Sequence, residues 1–180
     1  MTIRREINSK HESAVISAAV HAHNHQVGMA FKVESRPDPP DAILVDGSQR
    51  TWIEHTDAFY PEWAEHLTSY AATDKLHRPM RKDLHVDMDN QVADAFVKAV
   101  LGKFNSKSYK PVLNQYGPGI LVVGLESPWL DDETVSAINE KWADLASPDL
   151  STVFSFVYLG FRLKSVNKAI LWKTFNHISP

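Results

Sequence analysis

The run Ile120-Leu121-Val122-Val123-Gly124-Leu125 carries no polar side chain, and Gly117-Pro118-Gly119 sets it off as a sharp turn on its N-terminal side. A strand with one face in water alternates apolar and polar residues. A continuous apolar run of this length instead marks a strand covered on both faces. Such a strand needs material packed above and below it, and the flanking segments read as helices. The expected fold is therefore α/β, a mixed central β-sheet flanked by helices on both faces, with the Ile120 strand near its centre.

The remaining elements follow from local patterning. Ser9-Lys10-His11-Glu12 fits a capping box, and Val15, Ile16, Ala19 and Val20 follow at helical spacing, which predicts a helix from about Ser9 to Asn24. Met29 to Glu34 alternates like a strand, and Arg36-Pro37-Asp38-Pro39-Pro40 ends it. Asp41 to Val45 and Arg50 to Thr56 read as a hairpin around Asp46-Gly47. Pro61, Trp63, Leu67 and Tyr70 suit a further helix, and Thr73 to Val86 reads as loop. A long helix is expected from Met88 to Phe104, with Val92, Phe96, Ala99 and Val100 on its apolar side. Another opens at Asp131-Asp132-Glu133, and strands at Thr152 to Leu159 and Lys168 to Lys173 close the chain.

At 180 residues the chain suits one domain spanning 1–180, with its core over roughly 9–125 and a C-terminal helix and strands over 126–180. Hydrophobic residues at 43% argue against general disorder. The absence of cysteine excludes disulfides, thiolate zinc sites and a cysteine nucleophile. MTIRREINSK lacks the apolar stretch of a signal peptide, and no apolar run approaches the roughly 20 residues that cross a bilayer. A cytoplasmic location with no membrane association is the expectation. A net charge of −3 speaks against a surface that attracts nucleic acid everywhere, but leaves room for a local basic groove.

The chemistry concentrates in the hairpin. Asp41 opens one strand, and Glu54 lies near the end of the other. Antiparallel partners sit about 5 Å apart, so the two carboxylates should converge. Converging carboxylates repel unless a cation sits between them. Mg²⁺ or Mn²⁺ suits such a pair, because magnesium takes few carboxylates and keeps its waters. An ion held there polarises a phosphate and acidifies an attacking water. Glu54 should share a strand face with Trp52 and Thr56, while Ile53 and His55 point the other way.

Pro40-Asp41, twelve residues, then Glu54-His55-Thr56 resembles the PD-(D/E)xK motif of restriction-endonuclease-like nucleases. The helix carrying Glu12, the lysine-bearing helix and the Ile120 strand are similar to other parts of that core. The resemblance implies a restriction-endonuclease-like core and Mg²⁺-dependent hydrolysis of phosphodiester bonds in DNA, or in RNA. It implies metal ligands at Asp41, Glu54 and Glu12. It also exposes a departure: Thr56 stands where the family has its lysine and brings no charge. Lys98, Lys103 and Lys107 are the replacements that position suggests.

Other readings compete at each residue. Glu12 is explained by the capping box alone, and Asp41 and Asp46 suit turns. His55 either tunes the site or packs beneath it. His21, His23 and His25 would share a face in a strand and could then bind metal, but on a helix they spread around the axis. His77-Arg78-Pro79-Met80-Arg81-Lys82 is the most basic short run and suits either phosphate contact or a solvated loop. The five tryptophans suit the core. The rival to a nuclease is a catalytically inactive module of the same fold that binds nucleic acid or protein. A homodimer or a partner chain is compatible with either.

Overall fold

The computed structural model describes residues 3–59, 87–126, 131–145, 149–163 and 166–175. Among these, helix α1 spans Ile3–Val27, followed by strands β1 (Lys32–Ser35), β2 (Ala42–Asp46) and β3 (Gln49–Phe59). Helices α2 (Met88–Phe104) and α3 (Lys110–Tyr116) precede β4 (Gly119–Glu126). Helix α4 (Asp132–Asp144), β5 (Phe154–Leu163) and β6 (Val166–Thr174) complete the order, with single 3₁₀ turns at Lys107–Tyr109 and Leu150–Thr152.

The six strands lie in one sheet in chain order, β1 to β6. β1, β2 and β3 form an antiparallel meander. β3, β4 and β5 run parallel, and β6 returns antiparallel to β5. The fold is α/β with a mixed sheet, and the Ile120 strand is interior to it as its apolar run requires. Two apolar clusters cover the two faces. On one, Trp52, Leu121, Val123 and Val157 pack with α2, α3 and α4 through Phe96, Val112 and Trp142. On the other, Ile53, Ile120, Val122 and Tyr158 pack against Val15, Ile16 and Ala19 of α1. Parallel strands need such crossovers, because a tight turn cannot reverse the chain twice.

Helix α1 begins earlier than the Ser9 capping box predicts. Arg4-Arg5-Glu6-Ile7-Asn8 contains no glycine or proline, so nothing stops the helix from extending back to Ile3. Ser9 and Glu12 are therefore interior positions of the helix rather than its N-cap and N3. The C-terminal end is where glycine predicts it. Gly28 adopts φ 69°, and Met29 N–H donates to the Asn24 carbonyl at 3.1 Å, a Schellman closure. The Asn24 amide also holds Phe31, accepting from its N–H at 2.8 Å and donating to its carbonyl at 2.9 Å. The chain thus leaves α1 in a fixed direction, and β1 starts at Lys32 rather than Met29. Asp46 adds a tie by accepting from Ala30 N–H at 2.8 Å, besides closing the hairpin at Gly47.

β3 is longer than predicted and continues to Phe59. Its N-terminal half is anchored by Trp52, which is fully buried and donates from Nε1 to the Gly117 carbonyl at 2.8 Å. The indole lies flat over Gly119, where a Cβ would collide with its ring. The helix expected around Trp63, the Thr73–Val86 loop, the His77–Lys82 basic run and Trp129 lie outside the described residues.

Candidate active site

Register places the hairpin carboxylates. Ala42 pairs with Ile53 across β2 and β3, so Asp41 and Glu54 extend the ladder as neighbours. Asp41 N–H donates to Glu54 Oε2 at 3.3 Å, and Asp41 Oδ2 accepts from His55 N–H at 2.6 Å. Strand alternation turns Glu54 toward α2, on the face that also carries Trp52 and Thr56. The opposite face, toward α1, carries Ile53, His55 and Asp57.

Glu54 is 4% exposed and surrounded by donors. Lys103 of α2 places Nζ 2.5 Å from Oε1, and the Tyr109 hydroxyl donates to the same carboxylate. A buried carboxylate without partners costs several kcal/mol, so these partners account for its tolerance. The Tyr109 phenol is pushed upward from its ordinary value, first by burial and then by the charge of Glu54. Asp41 is raised to about 6, first by burial and then by repulsion from Glu54. The His55 N–H works against that rise.

Of the lysines named as replacements, Lys103 meets Glu54 directly, and Lys98, five residues earlier on the helix, lines the same cleft. Lys107 lies on the 3₁₀ turn and does not line the cleft. The cleft holds about 680 Å³. Glu54, Thr56 and Lys98 line it, together with Ala95, Ala99 and Gly102. The last three recur along α2 at helical spacing, and their small side chains leave the approach to Glu54 open. Thr56 lies within this cleft but supplies only a hydroxyl.

Glu12 places Oε1 3.4 Å from Nη1 of Arg36. Its charge still reaches Asp41 and adds to the upward push there. Among the described residues, no oxygens of Asp41, Glu54 and Glu12 meet as a three-ligand group, whereas His11, His55 and Asp57 do. Sequence reading overlooked that second group and the Tyr109 donor. The period-two alternation of β3 already places His55 and Asp57 on one face. Only the packing of α1 against the sheet adds His11. The three histidines near the C-terminal end of α1 do spread around the axis: His21 and His25 are exposed, while His23 is buried.

No protein-family model matches the chain, and no curated protein or solved structure matches it.

Proposed function

We propose that the protein is a Mg²⁺-dependent nuclease that hydrolyses phosphodiester bonds of DNA at the Asp41–Glu54 pair, with Lys103 in place of the motif lysine. The observation that carries this reading is Lys103 Nζ at 2.5 Å from Glu54 Oε1 within an open cleft. It supplies from α2 the cation that Thr56 lacks. The chain order supports the reading too. The helix carrying Glu12, the hairpin, the lysine-bearing helix and the parallel Ile120 strand are the elements on which the restriction-endonuclease-like resemblance rests; the hairpin and the Ile120 strand are neighbours in the sheet, and the two helices cover its opposite faces.

The donor set fits magnesium. Asp41 and Glu54 offer two hard carboxylates, and Mg²⁺ binds through one or two carboxylates plus phosphate oxygens and water. Asp41 is raised first by burial and then by the charge of Glu54, with a smaller push from Glu12, and a divalent cation would relieve the repulsive part. Bound there, the ion acidifies a water and polarises the phosphate. Lys103 shares the charge of Glu54 and holds its carboxylate in one orientation. Lys98 offers the cleft a phosphate contact. His55 N–H fixes the Asp41 carboxylate from behind.

A specific observation favours the second reading, a catalytically inactive module that binds nucleic acid or protein. Lys103, Tyr109 and Asp41 N–H already satisfy Glu54. Supercoiled and single-stranded DNA incubated with Mg²⁺ or Mn²⁺ separates the two. Cleavage by the wild type that disappears in both Glu54→Gln and Lys103→Met establishes the nuclease. DNA binding without cleavage in any metal establishes the module.

A further inference from the structure

The far face of β3 carries a second constellation. His55 Nε2 lies 2.8 Å from Asp57 Oδ1, and His11 Nε2 lies 3.5 Å from the same oxygen. The three ligand atoms fall within 4.8 Å of one another. Two imidazoles and a carboxylate are the donor set of borderline first-row ions rather than of Mg²⁺. At Zn–ligand lengths of about 2.0–2.1 Å, tetrahedral ligand atoms stand roughly 3.3 Å apart, and the two imidazole nitrogens lie 2.8 and 3.5 Å from Asp57 Oδ1.

The surroundings are shaped to this cluster. Asp57 pairs with Gly124 on β4, and Gly124 pairs with Gly160 on β5. A Cβ at Gly124 would collide with Asp57 Oδ1 and stand 3.3 Å from His55 Nε2. The missing side chain makes the space that the two donor atoms occupy. One carboxylate oxygen thus stands beside two imidazole nitrogens.

We infer that His11, His55 and Asp57 form a binding site for a divalent transition-metal ion, with zinc as its best-suited occupant. Three protein ligands leave a coordination position for water. The site lies on the α1 side of the sheet, opposite Glu54 and Lys103, and does not depend on the nuclease reading. It is tied to Asp41 through the His55 backbone, whose N–H donates to Asp41 while its ring faces α1.

Zn²⁺ and Co²⁺ titrations of the full chain test the inference, with binding measured by equilibrium dialysis and the Co²⁺ form read by its visible absorption. The wild type is expected to take up one tightly held equivalent with a tetrahedral or five-coordinate Co²⁺ spectrum and a raised melting temperature. His11→Ala and Asp57→Asn should each weaken this binding more than about tenfold while remaining folded by circular dichroism. His21→Ala/His25→Ala removes the exposed α1 histidines and should leave it unchanged. Absence of a bound equivalent in the wild type would show a hydrogen-bonded network only and overturn the inference. So would binding that survives His11→Ala and Asp57→Asn, or that vanishes in His21→Ala/His25→Ala. Loss of DNA cleavage does not enter this test, so the nuclease reading stands or falls separately.

Discussion

Lys103 Nζ meets Glu54 Oε1 at 2.5 Å where helix α2 crosses strand β3, with the carboxylate sealed from water and the amine only partly so. A buried pair of this kind adds little net stability, yet removing one partner leaves an uncompensated charge. Lys103→Met is therefore expected to destabilise the fold by about 3 kcal/mol. Lys103→Met/Glu54→Gln should recover much of that loss, because the stranded charge is gone. Urea unfolding of both single variants and the double variant gives the coupling directly. A double variant as unstable as the sum of the singles would mean that the two groups do not act on each other.

Asp41→Asn should separate stability from function. Asn keeps an oxygen that accepts the His55 N–H but removes a charge that burial and Glu54 both oppose. At neutral pH the variant is expected to gain up to about 3 kcal/mol, from a rise to about 6 at roughly 1.4 kcal/mol per unit of pKa displacement. It should lose metal-dependent cleavage. Thermal melts alongside a cleavage assay check both halves, and a destabilised Asn variant would contradict the account of the Asp41 environment.

His23 sets a pH dependence. Burial lowers it to about 4 from an ordinary value of 6.5, and its ring lies against Phe31 and Phe156, with Nδ1 2.9 Å from the Tyr158 hydroxyl. Between pH 6.5 and 4 the unfolded chain binds a proton that the folded chain refuses. Stability is thus intact above 6.5 and falls as the pH drops through that window, at up to about 1.4 kcal/mol per pH unit. His23→Gln should flatten the slope. Unfolding curves at pH 7.0 and 5.0 measure it, and equal slopes in both proteins would assign the effect to other groups.

Gly124→Ala should disturb Asp57 from across the β3–β4 ladder. The new methyl would collide with Asp57 Oδ1 in the middle of a packed sheet, which forces a shift costing about 1–3 kcal/mol. Gly102, with open space around it on α2, serves as the control. Gly102→Ala there should be neutral or stabilising by about 1 kcal/mol, since alanine favours helix. Denaturation midpoints of the two variants shifting together would refute the close approach at Gly124.

Much of this protein was legible along the chain because the relevant physics is local. The apolar Ile120 run required a strand covered on both faces, and β4 lies inside the sheet. Asp46-Gly47 required a hairpin, and hairpin register by itself brought Asp41 beside Glu54. Strand alternation put Glu54 and Thr56 on one face, with His55 on the other. The start of α1 was misplaced for a local reason too. A capping box is a short pattern, and it yields when the residues before it also favour helix.

The rest was decided by contacts between residues far apart in sequence. Lys103 is 49 positions from Glu54, and nothing in the local sequence distinguishes it from Lys98 or Lys107. Only the packing of α2 across β3 selects it. His11 stands 46 positions from Asp57, so the second cluster exists only because α1 covers the other face of the sheet. The arrangement of the hairpin was determined by the sequence itself, since backbone pairing and the two-residue repeat act between neighbours. Which cation answers Glu54, and which imidazole completes the pair on the far side, was settled by the tertiary structure, because helix-on-sheet packing alone fixes those distances.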